Sequence, residues 1–140
     1  MTQQRWTLPY VPGKRLPETS VYLLTSSRTF SAAEEFSYDL QALKRATVVG
    51  EVTPGGANFG ASFVLGEHMV AFIPIGRAEN PVKKNWEGVG VSPDVSVPAE
   101  KALDTAYRLA LEKARTGPNA VQLATEIDTA IWGTELRLQC

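Results

Sequence analysis

The sequence is poor in metal-binding and redox chemistry. It has one cysteine, Cys140 at the last position, and one histidine, His68. A single thiol closes no internal disulfide, and nothing around Cys140 would lower its pKa to make it a nucleophile. With one cysteine and one histidine, no ligand set of the usual metal-binding spacing exists. There is no excess of either charge: 14 basic and 15 acidic residues give a net charge of −1, so no basic surface points to nucleic acid. No apolar run approaches the 18 or so residues of a membrane span. The first residues, Met1-Thr2-Gln3-Gln4-Arg5-Trp6, hold no apolar segment of the kind a signal peptide requires.

What remains is a chain of 140 residues, 44% hydrophobic and 21% charged, which fits one globular domain with its own core. There is no internal repeat and no low-complexity segment. Three prolines and a glycine within residues 1–18 predict an extended lead-in, because proline has no N–H to give a helix or a central strand. Residues 19–116 read as the core and 117–140 as a C-terminal helical tail.

Within the core, Val21-Tyr22-Leu23-Leu24-Thr25 reads as a buried strand. A polar turn follows, then a helix opening near Ser31 with Ala33, Phe36, Leu40 and Leu43 on one apolar face and Lys44-Arg45 at its end. Residues 46–50 form a second short strand, completing a βαβ unit. Residues 61–65 and 68–75 predict a hairpin turning at Gly66-Glu67, and 76–94 a long ordered loop. A second helix is expected over 99–114, with Leu103, Ala106, Tyr107, Ala110 and Ala114 on its face, stopped by Gly117-Pro118. A third is expected over 119–132.

The corner at Ser31 is where chemistry is expected. A serine at a strand-to-helix turn lies beside backbone N–H groups that have no helical partner and that suit an anion or a developing oxyanion. The same residues also read as a capping box, Ser31-x-x-Glu34, in which serine and glutamate satisfy the helix start. The two readings are compatible. Thr53-Pro54-Gly55-Gly56 lacks the Lys-Ser/Thr ending of a phosphate-binding loop, so it does not point to nucleotides.

Four separated motifs resemble one family. Thr29-Phe30-Ser31-Ala32-Ala33-Glu34-Glu35-Phe36, the stretch A-T-V-V-G-E-V-T-P-G-G over 46–56, the stretch 72–81 and W-E-G-V-G-V-S-P-D-V over 86–95 are similar to the S41 serine peptidases. These include the tail-specific or C-terminal processing peptidases and the tricorn core peptidases. The likeness is greatest to the modules of interphotoreceptor retinoid-binding protein and covers roughly residues 19–115.

The resemblance implies an α/β fold of the crotonase-like/ClpP-like type, present in part, with C-terminal helices. It implies Ser31 as nucleophile, the Ala32 N–H as an oxyanion donor and Glu34 as the acid beside the nucleophile. It also implies that a further oxyanion donor and a general base come from a region upstream of this chain. In the Ser–Lys branch the base is a lysine at the position of Gly56, so that dyad is absent here. In the tricorn-like branch a glutamate orients an upstream histidine, and Glu87 is the candidate.

His68 reads as a strand residue, Lys83 and Lys84 as solvated loop lysines, and Trp86 and Phe72 as core residues. The implied partner is a peptide or an unfolded protein tail, with no metal or organic cofactor, in a periplasmic or secreted setting. The missing region leads to the expectation of a homo-oligomer. The competing functions are a binding module for hydrophobic ligands such as retinoids or fatty acids, and an inactive fragment.

Overall fold

The structure is a computed structural model that describes residues 8–80 and 84–139. Pro81, Lys83 and Cys140 lie outside the described residues. Strand β1 (Tyr22–Thr25) is followed by helix α1 (Ala32–Ala42) and strand β2 (Thr47–Gly50). A hairpin, β3 (Gly60–Val64) and β4 (Val70–Pro74), comes next. The two-residue strand β5 (Val95–Ser96) and helices α2 (Ala99–Ala114) and α3 (Ala124–Gln139) complete the chain. The architecture is α/β.

β1, β2 and β5 form a parallel sheet in the order β1-β2-β5. Leu24 stands opposite Val49, and Val49 in turn opposite Val95. Asp94 locks β5 to β2: it takes the Val48 N–H on Oδ2 at 2.7 Å and gives its own N–H to the Val48 carbonyl at 2.8 Å. These paired bonds let a two-residue strand persist. Such a strand carries too little periodicity to be seen in the sequence, where it falls unassigned between the loop over 76–94 and the helix from 99.

One core lies between the sheet and α2, where Val49, Ala102 and Ala106 are buried with Tyr22, Val95, Val97 and Leu109 packed around them. α2 therefore buries the stripe Ala102, Thr105 and Ala106, whereas the expected face is rotated, and Leu103 and Tyr107 are exposed. Small residues let the helix lie close to the sheet. α3 packs on α2, tied by Arg137 Nε to Asp104 Oδ1 at 2.7 Å. It starts later than expected and absorbs the tail through Leu138, while residues 117–123 are turns. A second core gathers Ala57, Trp86 and Val91 beneath the loops, with the Tyr38 and Trp86 rings 4.8 Å apart.

α1 departs furthest from expectation. Its buried residues are Glu34 and Ser37, while Phe36 is 57% and Leu43 66% exposed. Lys44 and Arg45 lie beyond its last turn. Among the described residues no element covers its apolar side. The hairpin β3–β4 is likewise a separate two-stranded sheet.

Candidate active site

Because the three strands are parallel, their carboxyl ends lie at one end of the sheet, the usual place for a site in an open α/β sheet. The chain leaves β1 at Thr25, turns through 26–30 and enters α1 at Ser31. The turn is pinned by its own polar groups: Thr29 N–H donates to the Ser26 carbonyl at 3.0 Å, and Ser26 N–H to Thr29 Oγ1 at 3.0 Å. Glu51, at the end of β2, takes the Ser27 N–H at 3.0 Å and the first N–H of α2, from Ala99, at 3.1 Å. These backbone bonds hold its carboxyl below the ordinary carboxylate value.

Ser31 is exposed and sits at φ 56°, ψ −118°. A residue with a Cβ avoids that region, since its side chain crowds the backbone there, at a cost of order 1–3 kcal/mol. The conformation belongs to a sharp elbow that presents a hydroxyl at the top of a sheet. The Ala32 N–H has no partner among the described residues and lies at the positive end of the helix dipole.

Glu34 holds this elbow in place. Its side chain is fully buried, and it accepts four hydrogen bonds. Oε2 takes the Ser31 N–H at 2.8 Å and the Gly56 N–H at 2.8 Å. Oε1 takes the Thr53 hydroxyl at 2.5 Å and the Gly55 N–H at 2.7 Å. Burial pushes the carboxyl upward, but the bonds from Thr53, Gly56, Gly55 and Ser31 outweigh it and the pKa is lowered. Glu34 is thus an ionised anchor joining the helix start to the glycine-rich loop. It completes the expected capping box and extends it.

Thr53 carries the network onward, since its Oγ1 also accepts the Val91 N–H at 2.8 Å. The two loops interlock through glycine. A Cβ on Gly90 would meet the Thr53 carbonyl at 1.8 Å, and one on Gly55 would meet the backbone nitrogens of Gly88, Val89 and Gly90 at 2.8 Å. Glu87 closes the same junction from outside: its Oε2 accepts the Ala57 and Asn58 N–H groups at 2.7 and 2.8 Å. Both strongly held carboxylates of the site therefore bind loop backbone.

Gly56, where the Ser–Lys branch carries its base, faces the Phe30 ring. A Cβ there would stand 2.3 Å from Phe30 Cζ. No lysine or histidine side chain hydrogen-bonds to Ser31 among the described residues. His68 is not in a strand, as the sequence suggested, but in the turn closed by the Leu65 N–H to the Met69 carbonyl. That tip lies about 13 Å, or four strand steps, beyond the hairpin base at Gly60 and Pro74. Lys84 is exposed in the loop. Trp86 is buried as expected, whereas Phe72 is 63% exposed. The described cleft lined by Glu18, Tyr22, Lys44, Arg45 and Lys113 lies at the amino ends of the strands, away from Ser31. No cluster of three or more potential metal ligands occurs among the described residues, and no helix among them is long and apolar enough to cross a membrane.

The model of peptidase family S41 matches residues 3–97 of this sequence. The chain belongs to peptidase family S41. Among solved structures it is similar to a photosystem II D1 C-terminal processing protease, at 28% identity over 59% of this chain and 22% of that one, with a TM-score of 0.52. It shares the fold of mature CPAF, at 22% identity over 69% of this chain and 19% of that one, with a TM-score of 0.52. The same holds for mature CPAF complexed with lactacystin, at 20% identity over 79% of this chain and 21% of that one, with a TM-score of 0.53. The chain spans about a fifth of the length of these proteins.

Proposed function

We propose that this chain carries the nucleophile half of a serine peptidase site that cleaves peptides or unfolded C-terminal tails. The observation that supports this best is the strained Ser31 backbone at φ 56°, beside an Ala32 N–H with no partner among the described residues. In the proposed reaction Ser31 Oγ attacks the scissile carbonyl carbon as a base takes its proton. The Ala32 N–H supports the resulting oxyanion. The tetrahedral species collapses, the leaving amine takes the proton from the base, and water then hydrolyses the acyl-serine. The base and a second oxyanion donor come from polypeptide other than the described residues. Glu34 acts as the anchor of the elbow, and Glu87 is the residue that orients an incoming histidine, its second carboxylate oxygen having no hydrogen-bond partner among the described residues. The core over 19–116 is of the crotonase-like/ClpP-like type, the helical tail over 117–140 is an appendage, and the branch is that of the retinoid-binding-protein-like modules.

A second reading is supported by Gly56. The Phe30 ring lies on it where the Ser–Lys branch has its base, which suits a non-catalytic module binding a hydrophobic ligand such as a retinoid or fatty acid. Self-association belongs to both readings, given the exposed apolar residues of α1 and the hairpin.

Turnover of an unfolded-protein substrate by the wild type and by Ser31→Ala tests the first reading. This chain alone is expected to turn over slowly or not at all, because a serine without a base is a weak nucleophile. Fast turnover lost in Ser31→Ala would show that the chain supplies its own base.

A further inference from the structure

The accessible surface of this chain is 10643 Å². A compact monomer of 15.2 kDa exposes roughly 7,100 Å². The excess is larger than the roughly 1,000–2,500 Å² that each partner of an obligate dimer buries. Residues 8–20, exposed throughout, account for part of it, and on the β3–β4 hairpin Phe63, Val64, Val70, Phe72 and Ile73 are all exposed. No charged residue occurs from Asn58 to Gly66 or from Met69 to Gly76. Edge strands of monomers are normally guarded by charge, proline or a bulge.

The two edges of the hairpin differ. The Leu65 N–H donates to the Met69 carbonyl at 2.8 Å, and the Ile75 N–H to the Phe59 carbonyl at 3.1 Å. In an antiparallel ladder bonded pairs alternate with unbonded ones. The register then makes Ala61–Ile73 and Phe63–Ala71 the bonded pairs. The pairs Gly60–Pro74, Ser62–Phe72 and Val64–Val70 point their backbone groups outward. Pro74 thus falls on an outward position and blunts the β4 edge, since it has no N–H to offer. Among the described residues the β3 edge has no such guard: Gly60, Ser62 and Val64 present their N–H and carbonyl groups away from β4.

We propose that β3 pairs with β3 of a second copy of this chain across a two-fold axis at Ser62, joining the hairpins into a four-stranded antiparallel sheet. The sequence of the strand is self-complementary in size. Antiparallel pairing centred on Ser62 sets Gly60 opposite the bulky Val64 of the other copy, and Ala61 opposite its Phe63. The small end of each strand receives the large end of its copy. An arbitrary peptide would not need that match. The proposal deepens the self-association of the preceding subsection by naming its contact.

The test is sedimentation of the full chain at micromolar concentration together with site-directed cross-linking. The wild type is expected at about 30 kDa, twice the chain mass. Ser62→Pro removes an outward N–H and leaves the hairpin's own ladder intact, so it is expected at about 15 kDa with unchanged circular dichroism. Val70→Lys, on the blunted edge, is expected to stay dimeric. In a Cys140→Ser background, Ser62→Cys is expected to form an intermolecular disulfide at least tenfold faster than Ala61→Cys. The facing Cα atoms of a bonded pair are about 5.5 Å apart, within disulfide reach. A wild type that stays monomeric overturns both this proposal and the self-association it rests on. A dimer that survives Ser62→Pro and gives no faster cross-link through Ser62→Cys overturns the β3 contact alone, and places the interface on another surface or with another kind of partner.

Discussion

The Ser31 N–H and the Gly56 N–H, 25 residues apart in sequence, share one acceptor, Oε2 of Glu34, each at 2.8 Å. The position of the candidate nucleophile and the position of the glycine-rich loop are therefore fixed by the same atom. The other oxygen fixes Thr53 and Gly55. A carboxylate saturated in this way has no capacity left for proton transfer in its resting state. Its role is to set the elbow geometry.

Removal of that anchor should be costly. Glu34→Ala strands the Ser31, Gly55 and Gly56 N–H groups and the Thr53 hydroxyl in a buried site. A loss of about 2–4 kcal/mol is expected, from the cost of unpaired buried donors. Equilibrium denaturation measures it. A loss below about 0.5 kcal/mol would mean that water replaces the carboxylate freely.

The same carboxylate sets an acid dependence. Its pKa is lowered in the folded chain relative to the ordinary 4.5, so the unfolded chain binds the proton more readily. Its contribution is fully present above 4.5 and is lost as pH falls from there through the lowered folded pKa. Glu34→Gln should therefore flatten the stability–pH curve below 4.5 and leave its shape near neutrality unchanged. Curves of the same slope in acid for both proteins would contradict the assignment.

The strain at Ser31 can be relieved. Glycine adopts φ 56° without a Cβ penalty. Ser31→Gly is expected to stabilise the chain by about 1 kcal/mol, the strain released less the extra unfolded-state entropy. Thermal unfolding reads this directly. Destabilisation of that size would show that the Ser31 side chain contributes more than its backbone costs.

The contact between Phe30 and Gly56 predicts a coupled pair. Gly56→Ala should lower stability by about 1–2 kcal/mol because its Cβ meets the ring, and Phe30→Ala should restore most of that loss, a coupling within the usual range for residues in contact. Additive effects in the double-mutant cycle would mean that the ring swings aside without cost.

The sequence was informative where the signal is local. Val21 to Gly50 announces a strand, a capped helix start and a strand, and Ser31-x-x-Glu34 announces the elbow, because propensity and capping act over a few residues. The buried face of α1 was not legible. Phe36 and Leu43 have the right spacing, yet Glu34 and Ser37 are the residues buried. Burial depends on which elements approach the helix, and those lie far along the chain. The roles of Thr53, Gly55 and Gly56 as donors to Glu34, and of Glu51 as acceptor from both Ser27 and Ala99, were hidden for the same reason. These partners are 19 to 48 residues apart. The one signal that could have found them is that threonine and paired glycines follow the end of a parallel strand, where backbone N–H groups converge.

In the proposed function the elbow makes Ser31 unlike the other exposed serines of the chain. The most direct measurement is labelling of the folded protein with a serine-directed fluorophosphonate, followed by mass spectrometry of the peptides. Slow modification is expected at Ser31, at least tenfold faster than at Ser20, Ser27 or Ser62, and abolished in denaturant. Equal, denaturant-insensitive labelling across these serines, or none at Ser31, would contradict it.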